Sequence, residues 1–243
     1  MGPDPGLDDL TVEVIAALTA YPHYIRIPGF GDDRTRGKTL ARMVTFSAPL
    51  HPRKAFAKLS SARIRIDPET FAKEGDGTRY SQTEQALAAH TDSSFFADPH
   101  ELVGFQMAVP DGEGGESFMV PARDAVAHLT AETIAHLRAP RFPFGGVLRP
   151  VLTGPEADPQ LRYYRRQIDE EAASGIPLGP EDIAALDALD AALARPEIQH
   201  RFRLAAGEFL LMNNLRVLHG RTAMDGASRR LMYRVRAYAG CLL

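Results

Sequence analysis

Two neighbouring runs decide how this chain folds: Asn213–Met224, NNLRVLHGRTAM, and Arg229–Ala239, RRLMYRVRAYA. Both carry the apolar, aromatic and β-branched residues of strands, and the turn MDGAS separates them. Residues i and i+2 of a strand share a face, so Arg230, Met232 and Arg234 point the same way. In the first run His219 ends an apolar stretch and is followed by Gly220 and Arg221.

Working outward, HRFRLA (200–205) and EFLLMNN (208–214) read as two more strands, as do YIRIPGF (24–30), ARIRID (62–67), ELVGFQMAVP (101–110) and ESFMVP (116–121), the last two joined by the turn DGEGG. Helices are expected over Gly6–Tyr21, Arg34–Val44, Ala122–Ala139 and Pro180–Leu193, with Ile183, Leu186, Leu189 and Leu193 on one packed face of the last. Within the connecting region 140–206, FGGVLRPVL (144–152) and LRYYRRQI (161–168) read as strands. The second places Arg162, Tyr164 and Arg166 on one side. Short strands with turn punctuation and a few helices give a mainly β fold with flanking helices, an α+β chain built on a double-sheet core. Its 243 residues suit one domain spanning 1–243.

Charge and composition narrow the partners. A net charge of -3, with both signs mixed along the chain, lacks the basic footprint of a nucleic-acid binder and favours a small-molecule substrate. The single cysteine, Cys241, offers neither a disulfide framework nor a Cys zinc cluster and fits a reducing cytoplasm. No stretch approaches the roughly 18 apolar residues of a membrane span, and the opening MGPDPGLDDL lacks the basic and apolar regions of a signal peptide. Neither a G-x-G-x-x-G dinucleotide fingerprint nor a phosphate-binding loop is found.

The chemistry centres on AAHTDSSFF (88–96). His90 and Asp92 can turn an imidazole and a carboxylate toward one ion, although H-x-D alone also describes a solvated turn or a hydrogen-bonded histidine. His219 offers a second imidazole, and two histidines with one carboxylate can hold Fe(II) while leaving positions open for ligands. The other histidines, His23, His51, His100, His128, His136 and His200, lie beside helices or loops without a ligand-like spacing and read as surface or packing residues. A zinc hydrolase could use the same trio, but nothing obvious supplies its general base.

HTDSSFF, GGESFMVP, NNLRVLHGR and RRLMYR, in that order, resemble the signatures of the TauD/TfdA-like iron(II)- and 2-oxoglutarate-dependent dioxygenases. The resemblance runs from His90 to Arg236 and implies a double-stranded β-helix, or jelly-roll, core. It implies that His90, Asp92 and His219 bind Fe(II), that Arg230 pairs with the distal carboxylate of 2-oxoglutarate, and that Ser117 adds a hydroxyl there. It also implies that 2-oxoglutarate and O2 are consumed to succinate and CO2 as an unactivated C–H bond is hydroxylated. Asp92 favours hydroxylation over halogenation, because related halogenases have a small residue at that position.

Arg234 matches a position at which relatives contact an acidic substrate group, with a salt bridge at the barrel mouth as the alternative, and Tyr164 with Arg166 gives a second substrate-binding candidate, which an exposed charged edge strand would also explain. The segment GTRYSQTEQ (77–85) reads as a lid or equally as an ordinary loop, and Phe95 and Phe96 as packing beside the iron or in the core. These arginines and the lack of tryptophan favour a small, polar, carboxylate-bearing substrate, such as a free amino acid or amino-acid-like metabolite. A sulfonate, phosphonate or aryloxy acid would satisfy the same arginine. A cupin-like metal cup without oxygenase activity is the rival from another class; Arg230 and Ser117 speak against it, since such a cup needs no carboxylate anchor.

Overall fold

The predicted strands assemble into two antiparallel sheets. In the computed structural model, which describes residues 5–46, 60–65, 83–112, 114–224 and 228–242, the larger sheet joins β1 (Tyr24–Ile27), β2 (Ser60–Arg65), β4 (Leu102–Val109), β11 (Phe209–Asn213) and β13 (Leu231–Ala237) in the order β1-β11-β4-β13-β2. The smaller contains β3 (Leu87–His90), β5 (Ser117–Pro121), β10 (His200–Phe202) and β12 (Val217–Arg221), in the order β10-β5-β12-β3.

Alternation along each strand separates the two sides of each sheet. Phe105 and Met107 of β4, Leu210 and Met212 of β11, and Met232 of β13 meet Met119 and Val217 of the smaller sheet in one buried cluster. Their neighbours Leu102, Phe209, Leu211, Val235 and Ala237 turn outward against α1 (Pro5–Thr19) and α2 (Arg34–Phe46). On the far side, Phe118, Val120 and Leu218 pack beneath α3 (Ala122–Val126), α4 (Ala131–Arg138), α5 (Arg165–Ser174) and α6 (Pro180–Leu193). Both sheets are therefore covered on both faces, and β5, β11 and β12 are buried at every position. This is the layered arrangement expected of a double-stranded β-helix with flanking helices.

Several local expectations give way to tertiary structure. The helical run 122–139 divides in two, because the Thr130 side chain accepts from the Thr133 N–H at 3.1 Å and caps a new helix. In FGGVLRPVL, Gly145 and Gly146 have φ of 62° and 76° and form the turn between β6 (Phe142–Phe144) and β7 (Val147–Arg149). The remaining pair, β8 (Leu152–Thr153) and β9 (Gln160–Leu161), leads into the largest departure. LRYYRRQI is a strand only at Leu161 and becomes helix α5 from Arg165, where the Arg165–Asp169 and Arg166–Glu170 pairs, both 3.0 Å, support i to i+4 spacing. β4 and β5 form in their expected positions but belong to opposite sheets rather than to one hairpin. Ile183 lies on the exposed side of α6, while Leu186, Leu189 and Leu193 are buried. Phe95 and Phe96 are also exposed, packing edge-on against each other. Most of GTRYSQTEQ and all of His51 lie outside the described residues. Among the described residues, no helix is long and apolar enough to cross a membrane.

Gly220 shows how closely the sheet packs around β12: an added Cβ would run into the Phe118 ring and the Leu87 carbonyl oxygen. Gly220→Ala should lower unfolding free energy by about 1–3 kcal/mol, the usual cost of overpacking. Urea denaturation checks this, and an unchanged midpoint would show that the strand has room to adjust.

Candidate metal centre

Strand register brings the histidines together. β12 pairs with β3 so that His219 lies directly opposite His90, and a register shift follows between His219 and Arg221. The imidazole centroids are 4.3 Å apart. Just beyond β3 the chain turns, adding Asp92, and ligand atoms of His90, Asp92 and His219 all fall within 4.8 Å of one another. All three residues are buried.

The donor atoms suit a divalent metal. His90 Nδ1 lies 2.8 Å from the Ala88 carbonyl oxygen, which can only accept, so the proton resides on Nδ1 and the Nε2 lone pair is free. That Nε2 is 4.0 Å from Asp92 Oδ1. His219 Nδ1 is buried without a hydrogen-bond partner among the described residues, an unusual position for a histidine with only a packing role. Burial pushes the His219 imidazole down to about 3, reinforced by His90 and opposed by Asp92. Burial likewise lowers His90, against the pull of Asp92. Burial alone would raise the Asp92 carboxyl, but the guanidiniums of Arg234 and Arg236 hold it well below the usual carboxylate range. Two neutral imidazoles and one carboxylate therefore stand deprotonated at neutral pH, as metal binding requires.

Residues 2–144 and 150–236 match the family described as taurine catabolism dioxygenase TauD, TfdA family. The chain belongs to this family. It is thus an Fe(II)- and 2-oxoglutarate-dependent dioxygenase. No curated protein sequence matches it. In fold it is similar to asparagine oxygenase (AsnO), with a TM-score of 0.61 and 17% identity over 98% of this chain and 92% of that one. It is similar also to the non-heme iron oxygenase OrfP in complex with Fe and alpha-ketoglutaric acid, with a TM-score of 0.65 and 17% identity over 98% of this chain and 81% of that one.

Around the dioxygenase trio the residues singled out in the sequence divide into two regions. Ser117, Arg230 and Arg234 line an interior cavity together with His90 and His219. Burial pushes the Arg230 guanidinium down to about 10, still charged at neutral pH. Tyr164, Arg234, His90 and Asp92 line a second, polar cleft with Gln167, Glu170 and Glu171. Tyr164 packs over His90 with ring centroids 4.9 Å apart. The same-side strand placement of Arg162, Tyr164 and Arg166 fails with the strand itself. Arg162 donates to the carbonyls of Ser94, Phe96 and Ala97, and Arg166 sits on the exposed surface of α5 against Glu170.

Two residues near the centre escaped the sequence reading. Arg236 continues the Arg230, Met232, Arg234 alternation by one step, and its Nε donates to Asp92 Oδ2 at 2.8 Å; Arg234 Nη1 lies 3.3 Å from the same oxygen. The signal was present in RRLMYRVRA, since the period simply extends. Asn214 is fully buried, accepts from the Asp92 N–H at 2.8 Å, and donates to the Asp92 and His100 carbonyls at 2.9 Å each. It fixes the turn that carries the carboxylate. Its one sequence signal is a pair of asparagines inside the apolar run LLMNNLRVL.

Asn214→Leu should lower Fe(II) affinity by about 10- to 100-fold, as loss of an outer hydrogen-bonding partner does at other metal sites. It should also destabilise the fold, because the Asp92 N–H is left buried without its acceptor. Anaerobic Fe(II) titration of the variant checks this, and wild-type affinity would show that the turn holds Asp92 unaided.

Proposed function

We propose that this dioxygenase hydroxylates an unactivated C–H bond of a small polar substrate bearing a carboxylate, a free amino acid or amino-acid-like metabolite. The observation that carries the reading is the polar cleft at His90 and Asp92, which Arg234 and Arg236 line together with Gln167, Glu170 and Glu171. Guanidiniums on one wall suit a carboxylate, and acidic side chains elsewhere suit an ammonium group. The fold relatives support the choice of substrate. Asparagine oxygenase has been solved with Fe(II), 3-hydroxyasparagine and succinate, and OrfP with Fe, succinate and (3S)-hydroxy-L-Arg. A sulfonate, phosphonate or aryloxy acid would engage Arg234 but brings no cationic group to Glu170 and Glu171, which in the free protein accept from Arg166 and from the Gly145 and Gly146 N–H groups. The whole chain, 1–243, is read as one working domain, in keeping with the 98% of it that aligns with these enzymes.

In this reading His90, Asp92 and His219 hold the iron, and Arg230 with Ser117 holds the distal carboxylate of 2-oxoglutarate. When bound, the metal and keto acid supply the oxidative chemistry, in which decarboxylation to succinate is coupled to insertion of an oxygen atom into the substrate. The protein's share is placement. Arg230 fixes the keto acid from its tail, Asp92 occupies a metal position that would otherwise admit a halide, and Arg234 anchors the substrate. Tyr164, packed over His90, bounds the space in which the reacting carbon lies. Arg166, paired with Glu170, lies on the exposed surface of α5 and is the weakest of the substrate-binding candidates.

Anaerobic loading with Fe(II) and 2-oxoglutarate, followed by oxygen and a panel of amino acids and organic acids, tests the proposal. Succinate and an amino acid heavier by one oxygen atom are expected. Turnover stimulated only by sulfonates or aryloxy acids would overturn the substrate class, and a chlorinated product would overturn the role of Asp92. Within the same assay His219→Ala should lose the visible band that 2-oxoglutarate forms with Fe(II). Arg230→Ala should raise KM for 2-oxoglutarate by the equivalent of about 2–5 kcal/mol, the cost of leaving a desolvated carboxylate unpaired. Arg234→Ala should leave that KM nearly unchanged and uncouple succinate formation from substrate oxidation. The reverse pattern would exchange the roles of the two arginines.

A further inference from the structure

Arg221 is a buried cation that the reading above leaves without a task. We propose that it is a second guanidinium for the distal carboxylate of 2-oxoglutarate, closing on it from the sheet opposite Arg230 and deciding selectivity for a diacid. The proposal rests on the placement of the keto acid in the cavity lined by Arg230 and Ser117.

Register puts the side chain there. In the pairing of β12 with β5, Arg221 lies opposite Ser117 and His219 opposite Met119. His219 and Arg221 are two apart and share the inward face, so the strand that presents a metal ligand presents a guanidinium one step further along. Arg230, at the start of β13, comes from the other sheet. Both arginines and Ser117 line the same interior cavity, whose remaining walls include Ile64, Leu204 and Met232.

The charges do not balance within the described residues. Arg221 is 4% exposed and Arg230 6%. Arg221 donates to two main-chain carbonyls, those of Thr83 and Thr222, which use two of its five N–H groups and carry no charge. Among the described residues, no carboxylate oxygen lies within 4 Å of either guanidinium. Asp111 is the one acid among the described residues that acts on both guanidiniums. It lies outside ion-pair distance of either, and its Oδ2 is itself buried without a hydrogen-bond partner among the described residues. The cavity's third guanidinium, Arg234, is paired with Asp92, so among the described residues Arg221 and Arg230 are answered only by Asp111, which does not line the cavity, and the pair falls one negative charge short of neutrality. Buried charges are strongly unfavourable without a partner. A single carboxylate completes the set, and its lone pairs can accept from two guanidiniums and a hydroxyl together.

The test is a cycle of protein variants against ligand variants. Fe(II)-loaded wild type, Arg221→Met, Arg221→Lys and Arg230→Met are titrated without oxygen against 2-oxoglutarate and against 2-oxopentanoate, which has the same chain length but no distal carboxylate. Binding is followed by calorimetry and by the metal-to-keto-acid absorption band. Arg221→Met should weaken 2-oxoglutarate by about 10- to 100-fold, the range for a charge-assisted hydrogen bond, and leave 2-oxopentanoate within about twofold. Arg221→Lys, which keeps the charge but not the fork, should give a smaller loss with the same selectivity and carries the test if the Met variant does not fold. Equal weakening of both ligands, or of neither, would overturn the role of Arg221. If Arg230→Met discriminates between the ligands and the Arg221 variants do not, this proposal alone fails. If Arg230→Met does not discriminate either, the placement of the keto acid fails with it.

Discussion

The pairing of His219 with His90 across β12 and β3 is the constraint on which the centre depends. A slip of one residue along either strand would send an imidazole through the sheet into the apolar layer beneath the helices, where Phe118 and Leu218 pack. Register is fixed by burial on both faces, because Val217 and Met119 must face the interior while Leu218 and Val120 face outward. Gly220 permits the close approach to Phe118 and Leu87 that this pairing needs. The register shift after His219 then turns the strand as it leaves the centre, a common use of irregular pairing beside active sites.

Electrostatics follow from that geometry. Confining a carboxylate and two imidazoles in the interior would ordinarily protonate the acid or expel the group. Here Arg234 and Arg236 keep Asp92 ionised, and burial keeps the histidines neutral, so the donors require no proton loss to take up a divalent ion. In the proposed reading the same strand face supplies Arg230 for the keto acid and Arg234 for the substrate, while Arg234 and Arg236 hold the Asp92 carboxylate. Asn214 fixes the turn holding Asp92 through three hydrogen bonds to main-chain groups.

What could be read from the sequence was whatever repeats locally. Strand alternation placed His219 within one run and Arg230 and Arg234 on one face of another, and H-x-D marked the turn after β3. The family resemblance joined these pieces and supplied the roles of Arg230 and Ser117. Asn214 was not legible because its partners lie 122 and 114 residues away, and its contacts are with main chain, which leaves no pattern. LRYYRRQI misled because alternating tyrosine and arginine imitates a strand, whereas the charges four residues ahead, Asp169 and Glu170, support helix. Phe96 misled for the opposite reason: large apolar residues are not always inside, and it packs against Phe95 at the surface, whereas Phe95, though exposed, lines the cleft beside His90 and Asp92 as expected.

A crystal structure of the protein prepared without oxygen in the presence of Fe(II) and 2-oxoglutarate tests the central claim most directly. The account predicts one iron bound by His90, Asp92 and His219, with the distal carboxylate of the keto acid between Arg230, Arg221 and Ser117. Iron held by any other set of side chains, or a keto acid whose tail points away from Arg230, would contradict it.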